Sequence, residues 1–360
     1  MAMRWVAYFT VGVSLAIGIG QSFGAPPKPS KDAGKSAKRM AVRLDAAPLS
    51  SFEFAGEVVD IAVSADGKLL AVRDRSHAIT VLNVLSNQRL KSARMGGFPI
   101  VFSPTQPTLA VVSNHDVLLM NSQTLERGSV LDNDRNVIVS LSFSPDGRKL
   151  AGGSGTGTVI WDVMQGRIER VLPGNGEVCA FAPIGNLLAT GGNEGIVHVW
   201  NADTMKPVMT FHEKPWNQLE AIASLAFSSD GILIAAGTGP GVSKTTDKDQ
   251  QFQMPFYVWN LQTRKIVFKS LQQTNEANSV GVAFAPNRSL LATWGFEVAL
   301  NFWNPDKPHE NVRSLNQRPI LSFASEASLR FFPDGQTLAT IEGKTVKLWN
   351  VEKLLALENP

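Results

Sequence analysis

Apolar residues alternate with small ones just ahead of a recurring nine-residue phrase, and an alternation of period two predicts a β-strand. The phrase in its fullest form is FSPDGRKLA, at residues 143–151. Ser-Pro-Asp-Gly within it favours a type I turn, because proline presets φ and the aspartate side chain can accept hydrogen bonds from nearby backbone amides. The pattern therefore predicts two antiparallel strands joined by a tight turn.

The phrase recurs along most of the chain. Its copies begin 38 to 57 residues apart, and each ends in alanine at the ninth place. They start at Val63, Phe102, Phe143, Phe181, Phe227, Phe284 and Phe331. A period of about forty residues is typical of repeats that each form one supersecondary unit. The sequence thus predicts seven such units.

A second landmark follows each phrase, namely a large apolar residue succeeded by Asn or Asp. The pairs are Leu82-Asn83, Met120-Asn121, Trp161-Asp162, Trp200-Asn201, Trp259-Asn260, Trp303-Asn304 and Trp349-Asn350. We interpret the tryptophan as filling the wedge that widens between radial sheets. The Asn or Asp side chain can then start the next turn. In the fifth unit the pair comes late, which indicates an insertion near residues 242–255.

With these landmarks, residues 49 to about 352 resemble the WD40 repeat family, in the degenerate form of secreted bacterial-type members. The resemblance implies an all-β fold, a seven-bladed β-propeller of four-stranded antiparallel blades. The Gly-His pair that commonly precedes the first strand in that family is absent from every unit. Because only ten residues follow Asn350, we expect residues 49–55 (LSSFEFA) to complete the seventh blade and close the ring.

The first 48 residues differ in composition from the propeller region, residues 49–360. Residues 1–24 have a positive start, an apolar middle and small residues before Ala25, as in a secretory signal peptide. An uncleaved membrane anchor is the alternative. Residues 25–48 are rich in Pro, Lys, Ser and Ala and predict a flexible basic linker. We therefore expect a secreted or periplasmic protein that contacts a membrane at most through these segments.

Candidate channel chemistry is sparse in the sequence. Asp60 and Arg330 stand just before the first and seventh phrases, so ring closure makes their units neighbours. We predict an ion pair across that seam, with a catalytic acid and an electrophilic arginine as the alternative. The single cysteine, Cys179, excludes an intrachain disulfide and a cysteine metal cluster. We expect no catalytic residues, no metal and no cofactor.

Aromatic residues in the loops of the fifth and sixth units offer a candidate binding surface. If these units follow propeller topology, their loops emerge on one face of the ring. The residues are Trp216, Phe252, Met254, Phe256, Trp294 and Phe296. An exposed apolar patch on a loop-rich face is typical of protein-binding sites. The alternative is that these side chains pin the insertion down on the ring.

Together these features predict a monomeric, non-catalytic scaffold that binds protein partners. The resemblance implies such a platform, and the regular residues of the repeat serve packing. The propeller region carries a net charge of −2, so nothing in it favours nucleic acid. Two alternatives stay open at this stage: a propeller-type hydrolase or lyase, possibly metal-dependent, and a module that binds envelope polysaccharide.

Overall fold

Short β-strands make up almost all of the regular structure. The computed structural model describes residues 47–357 except 96, 114–115, 134–135, 175, 213–219, 241–251, 275–279, 296–297, 308–310 and 316–328. The predicted leader (1–24) and nearly all of the predicted linker (25–48) lie outside the described residues. Within them, the strands form seven four-stranded antiparallel sheets, the blades of a β-propeller. The predicted fold class is confirmed.

Blades 1 to 3 follow one another along the chain. Blade 1 consists of β2 (Val58–Val63), β3 (Leu69–Asp74), β4 (Ala78–Asn83) and β5 (Gln88–Arg94). Blade 2 consists of β6 (Ile100–Phe102), β7 (Thr108–Ser113), β8 (Asp116–Asn121) and β9 (Arg127–Leu131). Blade 3 consists of β10 (Ile138–Phe143), β11 (Lys149–Ser154), β12 (Gly157–Asp162) and β13 (Arg167–Leu172).

Blades 4 to 6 repeat this order. Blade 4 consists of β14 (Val178–Phe181), β15 (Leu187–Gly191), β16 (Val197–Asn201) and β17 (Pro207–Phe211). Blade 5 consists of β18 (Glu220–Phe227), β19 (Leu233–Pro240), β20 (Phe252–Asn260) and β21 (Lys265–Thr274). Blade 6 consists of β22 (Val280–Phe284), β23 (Leu291–Gly295), β24 (Val298–Trp303) and β25 (Asn311–Leu315). The predicted insertion in the fifth unit falls between β19 and β20.

Blade 7 is assembled from both ends of the propeller. Its strands are β26 (Leu329–Phe331), β27 (Thr337–Glu342), β28 (Thr345–Asn350) and β1 (Ser50–Glu53). β1 pairs antiparallel with β28, with Phe52 opposite Val346. Phe52 is buried in one core cluster with Leu70 and Leu82 of blade 1. The predicted closing strand is therefore confirmed, and it covers the edge that β28 would otherwise expose.

The repeated phrase forms the tight turn that its residues predict. In blade 3, the Ser144 hydroxyl donates to Asp146 Oδ1 at 2.6 Å, while its oxygen accepts from the Lys149 amide at 2.9 Å. Gly147 has φ of 71°, a left-handed conformation that suits glycine. The turn thus joins the inner strand to the second strand in a fixed register.

The Asn or Asp of the second landmark organises the turn between the third and fourth strands. Asn201 Oδ1 accepts from the amides of Asp203 and Thr204, at 3.1 and 2.8 Å. Equivalent bonds are made by Asn83, Asn121, Asp162, Asn260 and Asn304, and Asn350 caps a short helix, α1 (Val351–Leu355), in the same way.

No helix in the described residues is both long and apolar enough to cross a membrane.

The repeat tryptophans are wedged between blades, and most of their indole N–H groups have a partner. Three of them donate to a threonine on the neighbouring second strand, at 2.8 to 3.0 Å. These pairs are Trp200 with Thr190, Trp303 with Thr293, and Trp349 with Thr340. Trp161 instead donates to the Asp132 carbonyl at 2.7 Å, and Gly152 stands in the threonine position. A Cβ at Gly152 would lie 2.6 Å from the Trp161 ring, so that blade needs glycine there.

Candidate functional site in the central channel

Within the part of the chain that the structure describes, the innermost strands of three blades carry a polar residue at the same repeat position, three residues before the phrase. Each accepts a hydrogen bond from a backbone amide on the innermost strand of the next blade, and so latches two blades together. The bonds run from Ile100 N to Asp60 Oδ2 (2.8 Å), from Cys179 N to Ser140 Oγ (3.1 Å) and from Val282 N to Ser224 Oγ (3.1 Å).

Asp60 differs from the two serines because it has a second oxygen. Its side chain is only 1% exposed, and Oδ1 has no hydrogen-bond partner among the described residues. A buried polar atom of this kind costs free energy unless something satisfies it. The latch itself needs only Oδ2, so Oδ1 is an acceptor that the ring does not use.

A cavity of about 260 Å³ opens beside Asp60 in the central channel. Its walls come from the innermost strands of blades 1 to 4 and blade 7 and from the segment before β6, and they are polar and apolar in about equal measure. The lining residues are Asp60, Ala62, Val63, Phe98, Pro99, Ile100, Val101, Phe102, Val139, Ser140, Leu141, Cys179, Arg330 and Phe331. Val139 is 40% exposed, which places the mouth of the cavity at the surface.

Burial raises the pKa of the Asp60 carboxyl from an ordinary 3.8 to about 6. The positive charge of Arg330 opposes this rise most strongly, followed by the Ile100 amide, the Ile61 amide and the charge of Arg73. Desolvation therefore dominates at this site despite two nearby guanidinium groups.

The two arginines approach Asp60 from different sides. Arg73 stands opposite Asp60 on the neighbouring strand β3, and burial lowers the pKa of its guanidinium. Its Nη2 lies 3.2 Å from His77 Nδ1. Arg330, on β26 across the ring seam, is half-buried, and its Nη1 donates to the Leu329 carbonyl at 2.9 Å. Asp60 and Arg330 thus line one cavity within electrostatic reach. The predicted direct ion pair between them stays a prediction.

On the opposite wall of the cavity, the Ser140 hydroxyl forms its hydrogen bonds with other groups of the protein. The Ser140 hydroxyl donates to the Glu177 carbonyl at 2.8 Å while it accepts from the Cys179 amide, and it contacts Cys179 Sγ at 3.4 Å. Among the described residues, no three His, Cys, Asp or Glu side chains are grouped so that they could hold a metal ion. The channel therefore combines a buried carboxylate, nearby guanidinium charge and walls that are partly polar and partly apolar.

A scan against protein families matches residues 127–162 and 166–201 to the WD domain, G-beta repeat. These two segments are WD40 repeats. Each begins on the outermost strand of one blade and ends on the third strand of the next, at Asp162 and at Asn201. The sequence repeat is therefore offset from the blade by one strand, which is why β1 must complete blade 7.

Curated proteins similar to this chain include three that are 23% to 26% identical. WD repeat-containing protein 26 homolog of Drosophila melanogaster is 26% identical over 58% of the chain and 31% of the relative. Cell division cycle 20.1, cofactor of APC complex, of Arabidopsis thaliana is 23% identical over 68% and 61%. A guanine nucleotide-binding protein subunit beta of Oryza sativa is 24% identical over 56% and 54%. The chain thus spans less than two thirds of each of these relatives.

Two of the six residues of the predicted surface are buried, and for these two the structure supports the alternative that the side chains pack on the ring. Phe256 is fully buried and packs against Phe268 and Trp303, with ring centroids 5.6 and 5.2 Å apart. Trp294 is 1% exposed, and a Cβ at Gly281 would lie 2.4 Å from its indole. Phe256 fills space between blades 5 and 6, and Trp294 fills space between blades 6 and 7, so both belong to the core.

The other four residues of that candidate surface remain a prediction. Trp216 and Phe296 lie outside the described residues, and the side chains of Phe252 and Met254, on β20, are likewise not described.

Sequence reasoning singled out Asp60 but missed two features of these WD40 blades. One is the latch shared with Ser140 and Ser224, which a comparison of the third residue before each phrase would have revealed. The other is the threonine that accepts from the tryptophan indole. Its sequence signal is a threonine one position after the phrase in blades 4, 6 and 7, where blades 1 and 2 have Val72 and Val111.

Proposed function

We propose that this protein is an exported, non-catalytic scaffold that binds protein partners through the WD40 propeller. The observation that carries the proposal is the closed seven-bladed ring with WD40 repeats, an architecture that presents many loops on rigid blades. Two of the similar proteins are named as a cofactor of a complex and as a subunit. Export follows from the predicted signal peptide.

The partner surface that we propose lies at the end of the blades where the fifth unit carries its insertion. The segments 212–219, 241–251 and 296–297 all connect strands at that same end, because neighbouring strands are antiparallel. The candidate side chains are Trp216, Phe252, Met254 and Phe296. The turns between third and fourth strands lie at the opposite end, where Leu85 and Met164 are 78% and 85% exposed.

These two ends allow a matched experiment. The full chain is expressed with its leader and recovered from envelope extracts with its bound proteins, which mass spectrometry identifies together with the amino terminus expected at Ala25. A variant with Trp216, Phe252 and Phe296 changed to Ser is compared with one that carries Leu85→Ser and Met164→Ser. The buried Phe256 and Trp294 are left intact, since truncating buried aromatics costs about 3–5 kcal/mol.

We expect a partner that is present in stoichiometric amount with the parent and the Leu85/Met164 variant and is lost from the triple variant. Equal recovery by both variants would show that the proposed surface is wrong. If no protein is recovered with the parent, the scaffold proposal itself fails, as it would if the purified chain turned over a substrate.

A further inference from the structure

The outermost strand of blade 1 carries positive charge and no acid. β5 and the turn before it, residues 84–94, have a net charge of +3 from three exposed cations. These are Arg89, Lys91 and Arg94. Neither Lys91 nor Arg94 forms an ion pair with another described residue. The corresponding strand of blade 3, β13, differs because it contains Glu169, which pairs with Lys149 at 2.6 Å.

Protection of the sheet edge does not account for this charge. Charged side chains on an edge strand hinder pairing with another chain, and so do β-bulges that twist the edge away. The pairing of the third with the fourth strand already shifts register in each of blades 1 to 6. In blade 4, β17 has this shift and contains no charged residue at all. The three cations of β5 therefore need another explanation.

Two leucines are exposed among these cations. Leu85, in the turn before β5, is 78% exposed, and Leu90, the residue that the register shift leaves unpaired on β5, is 40% exposed. Five blades have a polar residue at the position of Leu85, and blade 3 has Met164 there. The polar residues are Gln123, Asp203, Gln262, Asp306 and Glu352. Blade 3 has Glu169 at the position of Leu90. Packing of a blade thus requires leucine at neither position.

The elements around β5 offset little of its charge. The neighbouring strand β4 (AITVLN) has no charged residue. In the first turn of blade 1, Asp66 pairs with Lys68 at 3.6 Å. On the side of blade 2, Glu126 and Arg127 are adjacent in sequence and cancel. On the side of blade 7, β1 contributes one exposed acid, Glu53. A net charge of +2 remains when these groups are added to the three cations of β5.

The basic segment of the chain is attached next to β5. The Arg89 guanidinium donates to the Glu53 carbonyl on β1 and lies 4.8 Å from the centre of the Phe54 ring. β5 therefore neighbours the strand at which the described chain begins. In the sequence before that strand, residues 25–46 contain six Lys/Arg and two Asp/Glu, a net charge of +4. Positive charge thus continues from β5 into the chain that precedes the propeller.

We propose that the blade 1 rim binds the surface of an anionic lipid bilayer. We define this rim as Leu85, Arg89, Leu90, Lys91 and Arg94. Lys91 and Arg94 lie against the lipid phosphates, and Leu85 enters the headgroup region. A soluble polyanion would engage the cations alone and leave both leucines in water. The loop surface proposed for protein partners lies at the other end of the blades from Leu85, so the two proposals stand or fall separately.

Vesicle binding tests the cations of the rim. The protein is recovered after export, in the form that the cell produces. It is sedimented at physiological salt with vesicles of phosphatidylcholine alone or mixed with an equal part of phosphatidylglycerol. Lys91→Ser with Arg94→Ser should weaken binding to the mixed vesicles by about 25-fold, at about fivefold per cation. Any contribution from residues 1–48 is common to parent and variant and cancels in this ratio.

The matched control changes the same strand of blade 3. Arg167→Ser with Arg170→Ser on β13 removes two exposed cations as well, and it should bind the mixed vesicles as the parent does. Because all four substituted side chains are at the surface, each variant should keep the fold.

A dye placed at Leu85 tests its insertion directly. Leu85→Cys and Met164→Cys are each labelled with a polarity-sensitive fluorophore, and the native Cys179 is buried and protected from the reagent. Met164 is the control because it occupies the same turn position and is 85% exposed. We expect the emission at position 85 to shift to the blue with mixed vesicles, and the emission at position 164 to stay unchanged.

Four results would overturn the proposal. They are equal vesicle binding by the parent and the Lys91/Arg94 variant, no response of the dye at position 85, an equal response at positions 85 and 164, and binding of dextran sulfate without binding of mixed vesicles. The last result would identify a soluble polyanion as the ligand of these cations.

Discussion

Blades 1 and 4 fill the same positions with opposite chemistry. At the outer wedge, blade 1 packs Leu82 near Val72, whereas blade 4 packs Trp200 with its N–H bonded to Thr190. At the channel, blade 1 has Asp60 where blade 4 has the apolar Val178. In the wedge, donor and acceptor are both present or both absent. In the channel, Asp60 Oδ1 is present without a donor.

Blades 2, 6 and 7 follow this contrast, whereas blades 3 and 5 have Trp161 and Trp259 with Gly152 and Ala236 in the threonine position. Blade 2 pairs Met120 with Val111 in the wedge, while blades 6 and 7 pair tryptophan with threonine. An unsatisfied buried polar atom costs about 1–3 kcal/mol, whereas replacing both partners by apolar groups can be nearly neutral. In a repeat that serves packing alone, the donor and its acceptor can therefore be replaced together by apolar residues. Asp60 Oδ1 is one of four buried side-chain atoms without a hydrogen-bond partner among the described residues, the others being Arg73 Nε, Asn133 Oδ1 and Trp294 Nε1.

The largest expected effect is a pH dependence of the protein's free energy of unfolding, which arises from Asp60 in blade 1. Its pKa rises from about 3.8 to about 6 on folding, so the native state holds this proton more tightly than the unfolded state. The resulting stabilisation is fully present below about pH 4 and is lost as pH rises through 6. The difference corresponds to about 3 kcal/mol.

Urea unfolding of the parent and of Asp60→Ser at pH 4, 5, 6 and 7 measures this effect. Groups that titrate equally in both proteins cancel in the comparison. Relative to the parent, the variant should gain about 2.4 kcal/mol between pH 4 and pH 7, most of the full difference. If the free energy of unfolding changed with pH in the same way in both proteins, the pKa of Asp60 would be the same in the folded and unfolded states. Burial of this carboxyl in blade 1 would then cost no free energy, and the contrast with blade 4 would not hold.

A smaller effect is expected when the apolar wedge of blade 1 is copied into blade 4. Thr190→Val keeps the shape of the side chain but leaves the buried Trp200 N–H without its acceptor. We expect a loss of about 1–3 kcal/mol in the free energy of unfolding. Thr190→Ser, which keeps the hydroxyl, is the control and should cost less. If valine and serine cost the same, the hydrogen bond does not hold the tryptophan.

Much of this architecture could be predicted from local patterns. The turn residues, the alternation before each phrase and the shortage of residues after Asn350 together predicted the strands, the blade count and the closing strand. Each of these rests on neighbours in sequence. The cavity could not be predicted in this way, because its walls combine positions from five blades, such as Val139 and Phe331.

Burial of the loop aromatics shows the same limit. Phe256 lies in the middle of β20, which follows the insertion, and Trp294 lies one residue before the end of β23; at neither position does a sequence pattern distinguish the wedge between blades from the surface. Their burial depends on Gly281, which leaves room for the indole, and on Phe268 and Trp303 nearby. Asp60 could be singled out as an isolated acid, but its unpaired oxygen depends on the geometry of two blades.

The smallest expected effect on stability concerns the turns between the third and fourth strands of blades 1 and 4. Asn201 Oδ1 in blade 4 accepts from two backbone amides, whereas Asn83 Oδ1 in blade 1 accepts from one, that of Ser86 at 3.0 Å. Side chains that satisfy turn amides contribute about 1 kcal/mol when they are exposed. Asn201→Ala should therefore lower the free energy of unfolding by about 1 kcal/mol, and Asn83→Ala by less. Equal losses in urea unfolding would mean that the turns act only through their backbone conformation, since Asn83 and Asn201 would then differ in hydrogen bonds but not in energy.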